Sequence, residues 1–206
     1  SGASEKDMAA LTNKAKELGE KTMFTAKQVS GAMEFLAMAG WKKKYITDGI
    51  GDILNLASAG DVEIETAADI TSSALAQFKM EASEAAKVAD ILAATATNSK
   101  TNIIGLGESL KYAGTIAGNL GYDFKDVALG LGLMGNIGID GSMGGTALRT
   151  LMLRMSKQDL DEEDKAGVVK AMKTLGVSIY DDKTGETKPL LTVFKELRKG
   201  FKKVKY

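Results

Sequence analysis

Apolar residues recur three and four positions apart along almost the whole chain, and a single proline, Pro189, stands in 206 residues. That spacing lines apolar side chains on one face of an α-helix, and with so few prolines the glycines are left to punctuate. Met8, Leu11, Ala15 and Leu18 form a first stripe, closed by Gly19. Val29, Met33 and Leu36 form a second, ending at Gly40 and opened by the capping-box pair Thr25 and Gln28. Ile46, Ile50, Ile53, Leu54 and Ala57 run to Gly60, and Ala67, Ile70, Ala74 and Phe78 follow. Ser83 is placed to cap a fifth helix carrying Val88, Ile91, Leu92 and Thr95; a sixth carries Ile103, Leu106, Leu110, Ala113 and Ala117 and ends at Gly121. Asp123 and Asp126 suit the start of a seventh, with Phe124, Val127, Leu131 and Met134 on its stripe. Leu148, Leu151, Met152 and Met155 mark an eighth helix, and Val168, Ala171, Met172 and Leu175 a ninth that stops at Gly176.

The period then changes. In "GVSIYDDKTGETKPLL", Val177 and Ile179 alternate with polar residues around a "DDKTG" turn, which predicts a small β-hairpin or strand near residues 177–188. Pro189 suits the first turn of a last helix bearing Leu190, Val193, Phe194, Leu197 and Phe201. The expected fold is all-α, a compact bundle of about ten short helices with that one β excursion.

Composition places a soft boundary near Ser156. Residues 102–145 hold 12 of the 23 glycines and few charges, whereas 156–206 is densely charged and ends in "KELRKGFKKVKY". The expected organisation is a helical core domain over 1–155 and a small charged accessory unit over 156–206. "QVSGAMEFLAMAG" and "DVALGLGLMGNIG" share a small-residue-rich helix ending in glycine, an echo that leaves a true repeat open.

Several classes of function are excluded or disfavoured. The chain has no cysteine, which removes disulfides and thiol chemistry, and no histidine, which removes the commonest general base and zinc ligand. Lys and Arg balance Asp and Glu, so the chain as a whole has no electrostatic claim on nucleic acid or membrane. No apolar run reaches the roughly 18 residues of a spanning helix. "SGASEKDMAAL" does not read as a signal peptide, and the absence of an initial Met suggests part of a longer chain.

Gly130, Gly132 and Gly135 spell G-x-G-x-x-G, the spacing of a dinucleotide fingerprint. That fingerprint needs a strand before it and an acidic residue after the next strand. Here a capped helix start precedes it and "GTALRTLMLRM" follows, so close helix–helix contact is the reading. "NIGIDGSMGGTALR" (136–149) reads as a tight turn and a glycine-rich helix start, where an anion could also sit, although no Walker lysine follows. "DLDEED" (159–164) begins like a calcium loop but has Asp164 where glycine is required and Lys170 where the bidentate acid is required. It fits an acidic helix start. "GWKKKY" (40–45) reads as a turn between helices, with a membrane-interface or phosphate contact as its rival. The basic run Lys195–Lys205 fits a charged helix face or an anionic surface. Glu108 is a lone acid on an apolar helix, as a lytic enzyme would need, but only Tyr112 and Tyr122 supply aromatic residues nearby. No catalytic, cofactor-binding or metal-ligating residue is assigned.

"ADITSSALAQF" (68–78), "KVADILAATATNS" (87–99), "LGESLKYAGTIAGNLG" (106–121), "NIGIDGSMGGTALRTLMLRM" (136–155) and "GVSIYDDKTG" (176–185) occur in an order that resembles the core region of tail tape measure proteins of bacteriophages and prophages. The resemblance runs from Leu18 to Phe201; "G-S-x-x-G-T-A-L-R" and "L-G-E-x-L-K-Y" are its most specific parts. It implies a non-enzymatic structural module in the lumen of a phage tail, made in the bacterial cytoplasm, acting in tail assembly, tail length determination and DNA ejection. Implied partners are tail tube subunits, tail assembly chaperones and baseplate or tail-tip proteins, in an oligomeric assembly, with no specific nucleic acid and no cofactor. Membrane contact would come only during ejection. Short helices in place of sustained heptads mark a compact module, not the measuring rod itself. The rival readings are a membrane-active segment using residues 102–155 and a lytic or nucleotide-dependent enzyme.

Overall fold

The computed structural model describes residues 4–157 and 160–204. Side chains that take up the free amides of the first turn set several helix starts. Ser4 and Asp7 form a reciprocal capping box at α1 (Glu5–Lys21), and Thr25 and Gln28 form another at α2 (Ala26–Met38). Next come α3 (Lys43–Gly60), α4 (Ile64–Gln77), a 3-10 turn Ala82–Glu84 and α5 (Ala85–Thr97). The chain continues through α6 (Ile103–Asn119), α7 (Phe124–Asn136), α8 (Gly141–Ser156), α9 (Glu162–Leu175) and α10 (Leu190–Lys203). Asp123 caps α7 and Asp161 caps α9. Ser83 lies within the 3-10 turn and does not cap α5. Gly19 does not end α1. A Cβ there would come within 2.6 Å of the Ala26 amide nitrogen, so this glycine lets the start of α2 lie against α1.

The expected β-hairpin at 177–188 is not found. Among the described residues there is no strand, only an isolated antiparallel bridge between Tyr180 and Thr187. The alternation that suggested a strand is real in burial, since Val177 and Ile179 are both buried. A ladder fails for lack of length. The Asp181 carboxylate accepts from the Lys183 and Thr184 amides, which commits the tip to a turn. Pro189, just beyond, has no N–H to extend the pairing.

The chain forms two compact units, Ser1–Asn98 with Asn102–Ile104, and Ser99–Thr101 with Gly105–Tyr206. The first is packed around Leu36, Ile46, Ile50, Ile53, Leu54 and Leu92, all fully buried. In it α4 lies on α2 and α3, and α5 lies on α3. In the second, α8 packs on α7, α9 on α8 and α10, and α10 on α7. Ser156, where composition shifts, falls inside the second unit at the end of α8.

The two units are built on one plan. Helix starts at Glu5, Ala26, Lys43 and Ile64 recur at Ile103, Phe124, Gly141 and Glu162, each 98 residues further on. The paired helices have 17 and 17, 13 and 13, 18 and 16, and 14 and 14 residues. Buried positions recur at the same spacing: Ala15 and Ala113, Val29 and Val127, Met33 and Leu131, Ile50 and Leu148, Leu54 and Met152. Matching element order, length and burial are the marks of an internal repeat.

Candidate functional site

The glycine triplet lies inside α7, a helix already capped at Asp123, with no strand before it. A Cβ on Gly130 would come 3.0 Å from Leu190 Cδ2 and 3.4 Å from Phe194 Cε2. One on Gly135 would come 2.9 Å from Thr101 Cβ, and Gly132 is buried as well. A dinucleotide would need the first two glycines in a turn ahead of a helix N-terminus. Here the space freed at Gly130 and Gly135 is filled by Leu190, Phe194 and Thr101, which offsets the roughly 1 kcal/mol a helical glycine costs relative to Ala.

The two most specific sequence motifs meet at Ser109. This residue, 2% exposed, sits in "LGESLKY" on α6. Its hydroxyl lies 2.9 Å from the Gly105 carbonyl oxygen and 2.8 Å from that of Gly141, the first residue of "GSMGGTALR" on α8. A Cβ on Gly144 would stand 2.9 Å from the Ile139 carbonyl oxygen, and one on Gly145 would collide with the Ser109 carbonyl. Glycine therefore allows α8 to start directly against the α6 backbone, and Ser109 satisfies a carbonyl at the crossing. Gly141 itself has φ +54, a left-handed turn residue. The segment's glycines thus divide between a turn and a close helix contact.

Glu108, next in sequence, points elsewhere. It pairs with Lys111 at 2.6 Å and its side chain is 43% exposed. Tyr112 is exposed. Tyr122 is buried, and desolvation, reinforced by Tyr180, pushes its phenol up to about 12. Among the described residues no group of three or more Asp or Glu is placed to hold a metal ion.

The comparison with known proteins decides the class. Residues 12–205 match the family described as phage-related minor tail protein. The chain belongs to that family. It is 33% identical over 180 residues, 87% of its length, to the tape measure protein of Pneumococcus phage Dp-1. It is 30% identical over 197 residues, 96% of its length, to the probable tape measure protein of Escherichia phage P2. The chain spans only 15% and 23% of the lengths of these relatives. No solved structure matches.

The remaining motifs of this minor tail protein chain are helix boundaries. In "GWKKKY", Gly40 turns the chain at φ +87, and Lys43 reaches back to Asp7 on α1 at 2.6 Å, holding that carboxyl below its usual range. Trp41 is half-buried at a cleft of about 420 Å³ lined also by Phe35, Asp69, Ser72 and Met80. In "DLDEED", Asp161 Oδ1 accepts from the Asp164 amide at 2.8 Å as an N-cap; Asp159 lies outside the described residues. Lys195, Arg198, Lys199, Lys202 and Lys203 are exposed along α10, and Lys205 also lies outside the described residues. Among the described residues no helix is long and apolar enough to cross a membrane. Ser109 escaped the sequence reading. Its only signal is a serine within the apolar run "LGESL", and its partner stands 32 positions away.

Proposed function

We propose that this chain is a non-enzymatic structural module of a phage tail tape measure protein, acting in tail assembly, tail length determination and DNA ejection. The observation that carries this reading is similarity over nearly the whole chain to phage tail proteins. Its partners on this reading are tail tube subunits, assembly chaperones and baseplate or tip proteins, met in the tail lumen after synthesis in the host cytoplasm. The longest described helix, α3, has 18 residues and spans about 27 Å at about 1.5 Å per residue. That supports a compact module carried by the ruler in preference to a length of the ruler. Residues 156–206 form its accessory part on this reading, and their Val177, Ile179 and Val193 pack with Met155 of α8 in a small core.

Peptide mass spectrometry on purified virions, before and after triggered DNA ejection, tests the proposal. Peptides from residues 102–155 are expected in intact particles and lost after ejection. Their absence from particles that yield other tail proteins would overturn the structural role, and their retention after ejection would overturn the ejection role.

A further inference from the structure

The second unit leaves exposed at Leu129 and Leu133 a face that is half-buried at their counterparts Gly31 and Phe35. In the first unit α4 lies along α2. A Cβ on Gly31 of α2 would come 3.1 Å from Glu65 Oε1 of α4, and Phe35 shares a cleft with Asp69 and Ser72. The matching positions on α7, 98 residues on, are Leu129 and Leu133. They are 39% and 49% exposed, and Ile137 beyond them is 73% exposed. The helix that would cover them by analogy is α9, the counterpart of α4. It packs instead on α8 and α10, and none of its residues is buried. Its positions matching Ala68, Asp69 and Ser72 are Ala166, Gly167 and Lys170, all exposed.

The chain's own α9 is held away from α7. Met172 and Leu175 pack against the core of Met155, Val177, Ile179 and Val193, and a Cβ on Gly200 of α10 would collide with the Leu175 carbonyl. Closing α9 onto α7 within one chain would break that core. Docking the outer face of α9 onto the α7 of another chain breaks nothing. We propose that α7 and α9 form a self-association surface, in which α9 of a second copy lies on Leu129, Leu133 and Ile137 as α4 lies on α2. The first unit supplies the template. Small residues at Ala166 and Gly167 allow the backbone to approach, and a Cβ on Gly167 would meet nothing within 4 Å. In the α2–α4 register Glu163 falls beside Leu129, within a helical turn of Lys125, which is opposite in charge. The two faces are different surfaces of one chain, so the contact is head-to-tail in kind.

The absence of cysteine makes the test clean. Leu133→Cys and Gly167→Cys are introduced into separate chains, which are mixed and oxidised. A mixed disulfide dimer in clear excess over either homodimer is expected. Its failure to form would overturn the proposal, as would an intramolecular bridge in the doubly substituted chain at high dilution, which would mean α9 closes on its own α7. Light scattering gives an independent reading. The unmodified chain should gain mass with concentration, and Leu133→Glu should weaken that association about tenfold or more with its helical spectrum unchanged. Met38→Glu, on a residue 75% exposed in the first unit, should leave it unchanged. A chain that stays monomeric at all concentrations, or a Leu133→Glu chain that associates normally, would overturn it.

Discussion

The two units share three helices in order and register, with the buried positions matching best between α2 and α7, and part company at the fourth. In the first, α4 buries Ile64, Ala67, Ala68, Ile70, Thr71, Ala74 and Leu75. In the second, α9 has the same length and register, and none of its residues is fully buried. The difference lies in the residues. Ile64, Ala67 and Leu75 of α4 have charged counterparts in α9, Glu162, Lys165 and Lys173, and these cannot be buried unpaired without a large desolvation cost. A helix with that composition stays at the surface, and its Met172 and Leu175 are enough only for a small satellite core. One scaffold thus yields a closed unit and an open one by changing the charge on a single face.

The largest expected effect tests what the units share. Ile50 and Leu148 are counterparts and both are fully buried. Ile50→Ala and Leu148→Ala should each cost about 3 kcal/mol in urea unfolding. A loss confined to one of them would break the equivalence of the two cores. Next comes a position where the units differ. Gly145→Ala, against the Ser109 carbonyl, should cost about 2 kcal/mol despite the better helix propensity of Ala. Its counterpart Thr47, whose hydroxyl bonds the Lys43 and Lys44 carbonyls of its own helix, should tolerate Ala within about 0.5 kcal/mol.

Alkali sharpens the contrast further. Tyr122 corresponds to Phe24 in the first unit. Its folded-state phenol is raised from 10.0 to about 12, so the stability it contributes is complete below pH 10 and is lost as pH rises through 12. Absorbance titration of tyrosinate should show one late-ionising residue that Tyr122→Phe removes, and that variant should keep more of its helix signal at high pH. The last effect is a gain. Thr71 is buried in α4 with its hydroxyl unpartnered among the described residues. Thr71→Val should add about 1 kcal/mol, read as a rise in the urea midpoint.

Much of this architecture was legible in local chemistry. The capping pair Thr25 and Gln28 and the acids Asp123 and Asp161 start helices because a side-chain oxygen beside a free amide acts within a few residues. The hairpin expectation failed because alternation reports burial, and Val177 and Ile179 can be buried against α-helices as well as in a sheet. The repeat was visible only as an echo between α2 and α7, where both copies keep a capped, small-residue helix. Elsewhere the buried counterparts changed type, Ile46 to Gly144 and Ala57 to Met155, while backbone and register stayed. The crossing at Ser109 depends on two segments far apart in sequence. Side-chain chemistry at one position does not name its partner at the other.

Hydrogen exchange on the chain, at a concentration where light scattering finds it monomeric, tests the central claim of one plan closed in the first unit and open in the second. Comparable protection of α2 and α7, with α4 strongly protected and α9 exchanging close to the unprotected rate, is the predicted result. An α9 protected as well as α4 in the monomer would contradict it.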